Sequence, residues 1–354
     1  MDSADPRRAL IALSGGVDSS VAAALLLERG WEVRATHLKL YEPAEVGLPA
    51  GSCACGSDDA FAVADALGIP CDLLDVSDEF ASIIEHFVDE YAAGRTPNPC
   101  LLCNARIKFG KLWAHARSLG CSHLATGHYA RTADRGDGPA IVRAADPAKD
   151  QSYALFDLSC DVLGHILLPI GELADKARTR RLARRWGLPV HDKPDSQEVC
   201  FVPDDDYARL LRERAPHATR PGEIVNAEGE VLGEHEGYGL YTIGQRRGLG
   251  VAGGVPLYVT RIDPGANRIV LGPREEVHAR HLTAREANWH ADVPDEFGAT
   301  VQIRYNHQGA PAEVKRTGDD AFEVTFDQPV HAITPGQAAV VYDGDRLLGG
   351  GWIE

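Results

Sequence analysis

Residues 9–20, ALIALSGGVDSS, constrain the fold of this chain more than any other stretch. The apolar run 9–13 reads as a buried strand and 20–29 (SVAAALLLER) as a helix stopped by Gly30, so a tight strand-to-helix turn must lie between them. Two glycines let that turn close. Ser14, Ser19, Ser20 and the first amides of the helix then point into one concavity, where the helix dipole favours an anion. The turn reads as a pyrophosphate cradle; the plainer alternative is a glycine-rich turn with a serine N-cap.

The pattern GxxxxGK followed by Ser or Thr occurs nowhere in the chain, so this is not the common phosphate loop. The string SGGVDS instead resembles the loop of the ATP pyrophosphatase family, whose members split ATP between the α and β phosphates and adenylate a substrate.

Composition bounds the rest. At 354 residues the chain has room for two or three domains, each able to bury a core. The first 40 residues contain neither a membrane-length apolar run nor a signal-peptide pattern, so a soluble, cytoplasmic protein is expected, with no membrane partner. A formal net charge of −16 argues against non-specific nucleic-acid binding unless basic residues gather on one face. Arg178, Arg180, Arg181, Arg184 and Arg185 do gather; a solvated helix face is the competing reading. Eight cysteines in a chain this long make no disulfide framework, and the grouping of Cys53 with Cys55 and Cys100 with Cys103 suits redox or metal chemistry in a reducing compartment. Cys71, Cys121 and Cys160 read as core thiols.

Strands at 31–38 and 71–76 alternate with helices at 58–67 and 79–91, which predicts an α/β fold with a doubly wound parallel sheet. In such a sheet the turns after Leu13, Leu38 and Thr126 should line one crevice. A helix is expected from about 104 to 119, with Cys103 at its first turn; there the dipole and Lys108 would lower the thiol pKa. Cys100-x-x-Cys103 is equally half of a zinc site, though no second pair completes it. Gly127 ends a strand where a nucleotide can approach the backbone closely, and residues 149–153 (KDQSY) mix charge, amide and ring in a way suited to polar recognition. A helix is expected at 171–186. Beyond about residue 221 the pattern turns to short alternating segments: 223–232, 257–262 and 268–271, then 300–305, 312–316, 321–326 and 338–348, the last group able to close a small barrel. GLGVAG at 248–253 satisfies a dinucleotide pattern but precedes no helix, and is rejected.

Six blocks in order, SGGVDSS, TPNPCLLCNARIKF (96–109), ATGHYAR with KDQSYAL, DSQEVCFV (195–202), GQRRGLG and TPGQAAVVY, resemble the bacterial tRNA-specific 2-thiouridylases almost end to end. The resemblance implies an ATP-pyrophosphatase domain of the adenine nucleotide alpha hydrolase-like type (1–205), a small central β-rich domain (206–278) and a C-terminal β-barrel (279–354). It implies that Ala12, Leu13, Ser14, Gly15, Gly16, Val17, Asp18 and Ser19 hold the phosphates of ATP with Mg²⁺, Asp18 serving catalysis, while Leu38 and Gly127 border the nucleoside. Asn98, Pro99 and Cys100 correspond to the loop that meets the target base. His128, Lys149, Asp150, Gln151, Arg304, Tyr305 and Gln337 correspond to positions that touch tRNA. Cys103 matches the nucleophile and Cys200 the carrier of persulfide sulfur, leaving a Cys103–Cys200 disulfide for reduction.

The implied partners are tRNA, through an anticodon loop with a wobble uridine, and a persulfide or sulfide donor protein. The chemistry fits: the C2 oxygen of uracil leaves once adenylation makes it part of AMP, and two thiols deliver and release the sulfur. Many members of the family carry an acidic residue where this chain has Cys100. Cys100, Cys103 and Cys200 are therefore also a candidate ligand set for a 4Fe–4S cluster with one open iron, alongside the persulfide route. Two rival functions share part of the pattern: an ATP pyrophosphatase that amidates or ligates a small metabolite, and a non-catalytic Fe–S or zinc RNA-binding module.

Overall fold

In the computed structural model, which describes residues 7–43, 57–194, 199–202, 206–251 and 254–354, the chain divides into two compact units. The first comprises Met1–Ala81, Cys100–Asp204 and Asp345–Leu347; the second comprises Ser82–Pro99, Asp205–Gly344 and Leu348–Glu354. Cys53 and Cys55, residues 195–198 of the DSQEVCFV block, residues 203–205 at the expected first domain boundary and residues 252–253 of the rejected glycine string lie outside the described residues.

The first unit is organised on β1 (Arg8–Ala12), whose Ala9, Leu10 and Ile11 are fully buried. α1 (Val17–Glu28) follows and ends where Arg29 and Gly30 close the last turn, Gly30 at φ 78°. β2 (Glu32–Lys39), α2 (Ser57–Leu67), β3 (Cys71–Asp75) and α3 (Ser77–Ala92) continue the alternation, the later turns of α3 belonging to the second unit. A helical run then carries α4 (Pro99–Leu102), a π-helical segment (Cys103–Lys111) and α5 (Leu112–Ser118). β4 (His123–Ala125), a hairpin of β5 (Ala130–Asp134) and β6 (Pro139–Arg143), β7 (Ile166–Leu167) and α6 (Lys176–Arg185) complete the unit.

The sheet order is β3-β2-β1-β4-β7 with every pairing parallel, as the alternating pattern requires. Ala9 and Ile11 join Val21, Ala22 and Leu25 of α1 and Ala60 and Val63 of α2 in one apolar cluster. Leu10 faces the other way and is equally buried, and α5 packs on β1 and β4, so both faces of the sheet are covered. The helix expected at 171–186 starts only at Lys176, because Asp175 caps it by accepting from the Arg178 amide at 2.5 Å.

The second unit carries α7 (Tyr207–Arg214) and a sheet of β8 (Gly222–Val225), β9 (Val231–His235), β10 (Tyr258–Asp263) and β11 (Arg268–Gly272) in the order β10-β11-β8-β9. The run 223–232 was expected as one segment; it is two strands joined by a turn in which the Asn226 amide donates to the Glu230 carbonyl. β12 (His278–Trp289), β13 (Glu296–Gln302), β14 (Ala310–Arg316), β15 (Ala321–His331), β16 (Ala338–Asp343) and β17 (Arg346–Ile353) follow in the order β12-β15-β14-β13-β16-β17. Pairing of β12 with β17 closes them into a barrel filled by Val301, Val314, Phe322, Phe326, Val341 and Ile353. The stretch 338–348 breaks into two strands at Gly344, φ 57°, and β13 stops at Gln302, which leaves Arg304 and Tyr305 in the following turn.

Candidate nucleotide and thiol site

The loop after β1 holds itself in shape. Gly15 takes φ 70°, and Gly16 is the extended N-cap of α1. The Ser19 hydroxyl donates to the Gly16 carbonyl at 3.2 Å, accepts from the Ser14 amide at 3.2 Å and lies 3.1 Å from the Ser14 hydroxyl. Ser20 does not join the concavity: it is fully buried and its hydroxyl donates to the Gly16 carbonyl at 2.8 Å. The amides at the start of α1 are left at the mouth of a cavity of about 570 Å³, a volume suited to a nucleotide. Its walls include the turns after Leu13, Leu38 and Thr126, the ends of three neighbouring parallel strands.

Most of the expected nucleotide-binding residues line this cavity: Ala12, Leu13, Ser14, Gly16, Val17, Asp18, Ser19, Leu38 and Gly127, with Gly15 behind them in the loop. His128, Gln151 and Cys200 line it too. Gly127 owes its identity to a neighbour the sequence does not reveal. A Cβ there would sit 2.6 Å from the Ser19 amide nitrogen and 2.9 Å from the Asp18 carbonyl carbon, so the close approach is to the backbone of α1.

Asp18 is not an open carboxylate. Lys176 at the start of α6 donates to both its oxygens at 2.6 and 2.7 Å, and the Tyr129 hydroxyl donates to one of them at 3.0 Å while lying 2.8 Å from the Thr179 hydroxyl. Lys176 also stands 5.6 Å from the centre of the Tyr129 ring. The pairing gives Asp18 a structural part as well. Asp18→Ala strands an ammonium that is largely buried, and is expected to cost about 1–2 kcal/mol, the pair being partly exposed. A double-mutant cycle with Lys176→Met is expected to recover a coupling of about 1–2 kcal/mol in chemical denaturation. Additive losses would contradict the pairing.

Lys193 donates to the Gly15 carbonyl at 3.0 Å and to Asp59 at 2.5 Å, which ties the chain before Cys200 to the loop. The arginine run serves the same segment: Arg180 donates to the carbonyls of His191 and Lys193, and Arg184 pairs with Asp192 at 2.6 Å. Lys176, Tyr129 and Lys193 carried no sequence signal, because each acts on a partner more than 100 positions away.

The three thiols differ in setting. Cys200 is exposed on the cavity wall, its carbonyl accepting from the Tyr41 hydroxyl at 2.6 Å and its neighbour Phe201 packed on Phe80. Cys100 is exposed. Cys103, expected to be a low-pKa thiol at a helix start, is instead the fifth residue of a helical run that begins at Pro99, and it is 6% exposed. Burial pushes its thiol above the ordinary range, and the opposing charge of Lys108 does not overcome that. Among the described residues no three His, Cys, Asp or Glu side chains come together in a way that could hold a metal ion, so this arrangement does not present the three-thiol ligand set. Nor does Asp18, engaged by Lys176, offer a carboxylate to Mg²⁺ as it stands.

The expected tRNA contacts fall in both units. In the first, Asp150 is a loop organiser: it accepts from the Ala144 and Ser152 amides, from the Ser152 hydroxyl and from Arg143 at 2.8 Å. Gln151 accepts from the Tyr129 amide at 2.9 Å, while Lys149 stands outside the cavity wall. His128 lies 2.8 Å from the Thr126 hydroxyl, and burial followed by the charge of Lys108 holds its imidazole well below its ordinary pKa. It is neutral at pH 7. Because the unfolded chain takes up a proton near pH 6.5 and the folded site does not, His128 contributes stability above that pH that is lost on acidification. His128→Gln is expected to reduce the loss of Tm between pH 7.5 and 5.5, measured by thermal melts. An unchanged pH dependence would contradict the assignment.

In the second unit, Gln337 donates to the Thr96 carbonyl at 2.7 Å and so steadies the chain leading to Asn98 and Pro99. Arg304 donates to the His331 and Ala332 carbonyls, and Tyr305 is 43% exposed.

Known protein families match most of the chain. Residues 7–204 match the family described as tRNA methyl transferase HUP domain, 209–273 its PRC-barrel domain and 279–353 the aminomethyltransferase beta-barrel domain. The tRNA-specific 2-thiouridylase MnmA of Carboxydothermus hydrogenoformans is 47% identical over 100% of this chain and 99% of its own length; that of Rhodospirillum centenum is 48% identical over 98% and 91%. A solved 4-thiouridine synthetase–RNA complex with bound ATP aligns at 16% identity and a TM-score of 0.35, covering 59% of this chain and 50% of that one, too distant to add to this. Likeness of this extent, over nearly the full length of both chains, leaves one conclusion: the chain belongs to the tRNA-specific 2-thiouridylase family.

Proposed function

We propose that this chain is a tRNA 2-thiouridylase, which adenylates the C2 oxygen of the wobble uridine (position 34) with ATP and replaces it by sulfur, giving 2-thiouridine, AMP and pyrophosphate. The observation that carries the reading is that the SGGVDS loop and the exposed Cys200 line the same nucleotide-sized cavity. ATP enters as its Mg²⁺ complex, as substrate.

The residue roles follow from that placement. The loop residues 12–19 receive the phosphates, and Leu38 and Gly127 border the nucleoside. The uridine O2 attacks the α phosphorus; the bond from that phosphorus to the bridging oxygen breaks and pyrophosphate departs. A persulfide on Cys200, charged by a persulfide or sulfide donor, then attacks C2 through its outer sulfur, and the C2–O bond breaks as AMP leaves. Cys103, as thiolate, attacks the Cys200 sulfur and frees the thiocarbonyl, leaving a Cys103–Cys200 disulfide that takes two electrons from an external thiol. Burial keeps Cys103 protonated before tRNA is engaged, which holds the resolving thiol back from premature exchange. Asn98, Pro99 and Cys100 meet the target base, turned out of the anticodon loop at a cost of a few kcal/mol. His128, Lys149, Gln151, Arg304, Tyr305 and Gln337 contact the tRNA directly, and Asp150 acts by shaping the loop that carries Lys149 and Gln151.

Measuring AMP release from ATP with and without tRNA tests the reading. It requires release that depends on tRNA; release driven by a small amine or acid instead would replace it with a metabolite ligase.

A further inference from the structure

We propose that Lys108 is the cation that receives the α-phosphoryl group of the nucleotide, and that the π-helical turn Cys103–Lys111 is the device that brings it to the cavity. The proposal rests on the thiouridylase reading for its reaction and on the cavity for its geometry.

The acidic and basic side chains on the cavity wall, Asp18, Lys193, His37, His128 and Lys108, can be accounted for one by one. Asp18 is taken by Lys176, and Lys193 is paired with Asp59. His37 uses its Nδ1 on the Leu13 carbonyl at 2.8 Å, and His128 is neutral. Lys108 remains. Among the described residues no carboxylate lies within ion-pair distance of it; its ammonium donates to the Asn104 side-chain carbonyl at 2.9 Å, and Asn104 in turn donates to the Ala154 carbonyl at 2.9 Å. An amide uses one of three N–H donors and cancels none of the charge. A half-buried cation in a concave wall is costly unless an anion joins it.

The helix geometry explains how it arrives there. Lys108 is five positions after Cys103. At 3.6 residues per turn the two would lie about 140° apart around the axis, whereas an i→i+5 ladder stacks them on one side. Lys108 lines the cavity together with His128, and its ammonium is held there by the Asn104 side chain one turn earlier in the same segment.

The chemistry asks for such a cation at one phosphate in particular. The helix amides of the loop serve the departing pyrophosphate, while the cradle's own charges, Asp18 with Lys176 and Lys193 with Asp59, are spent on each other. The α-phosphoryl gains a bond to O2 as it loses pyrophosphate, and later departs as AMP when sulfur displaces O2 from C2. An ammonium beside it screens the charge in both steps.

Binding of AMP and of adenosine to the full chain, compared in wild type, Lys108→Met and Lys108→Arg, tests this. Lys108→Met is expected to weaken AMP about 10-fold and leave adenosine unchanged, with Lys108→Arg retaining most of the AMP affinity. Pyrophosphate release in the presence of tRNA is expected to fall about 100-fold in Lys108→Met. Equal affinities for AMP in wild type and Lys108→Met, or parallel loss of AMP and adenosine, would overturn the assignment. Wild-type chain that releases no AMP with tRNA would instead overturn the thiouridylase reading, and the comparison of AMP with adenosine would still decide Lys108.

Discussion

Gly127→Ala is expected to unseat the phosphate loop and to lower ATP affinity by at least about 10-fold, because the added methyl collides with the backbone at the start of α1. The new Cβ would lie 2.6 Å from the Ser19 nitrogen and 2.9 Å from both the Asp18 carbonyl carbon and the Ser19 Cα, all of them backbone, so no side chain can swing aside. Relief requires the start of α1 to move away from the strand end, at an overpacking cost of about 2–3 kcal/mol. For a unit of this size that is a fall of roughly 5–10 °C in Tm. Gly298→Ala, where nothing lies within 4 Å of the added methyl, is the control and should change neither quantity. Wild-type ATP affinity in Gly127→Ala would show that the loop is held by other contacts.

The second large effect separates the two halves of the reaction. Cys200→Ser is expected to abolish thiolation, by at least about 1000-fold, because a serine hydroxyl cannot carry a persulfide, while pyrophosphate release with tRNA persists. The fold should tolerate it: the side chain is exposed, and the segment is anchored through the Cys200 carbonyl and the packing of Phe201. Cys103→Ala should also stop turnover, but one step later, with tRNA accumulating as a covalent adduct on Cys200 through an S–S bond that an external thiol cleaves. Loss of pyrophosphate release in Cys200→Ser would mean that the thiols take part in adenylation and that the two steps are not separable.

The parts of this account that were legible in the sequence are those fixed by neighbours along the chain. The strand, the two glycines and the apolar helix of residues 9–29 each state their structure locally, and the parallel sheet follows from alternation of such pieces. The setting of Cys103 was not legible, since it depends on a helix that starts four residues earlier and widens into a π turn, and on a burial that tertiary packing imposes. The same holds for Asp18, whose partner Lys176 is 158 positions away. Gly127 was read as a place for close approach by a nucleotide; it does line the cavity, and the structure adds the backbone of α1 against it, a neighbour the sequence does not reveal. In the barrel, alternation located the strands and missed their ends, because Gly344 turns the chain within what reads as one continuous apolar run.

The most direct test of the central claim is the nucleoside content of unmodified tRNA after incubation with the full chain, ATP and a persulfide donor. The account predicts 2-thiouridine at position 34 that appears only when ATP is present, with one pyrophosphate released for each 2-thiouridine formed. Thiolation without ATP, or tRNA that stays unmodified while ATP is consumed, would contradict it.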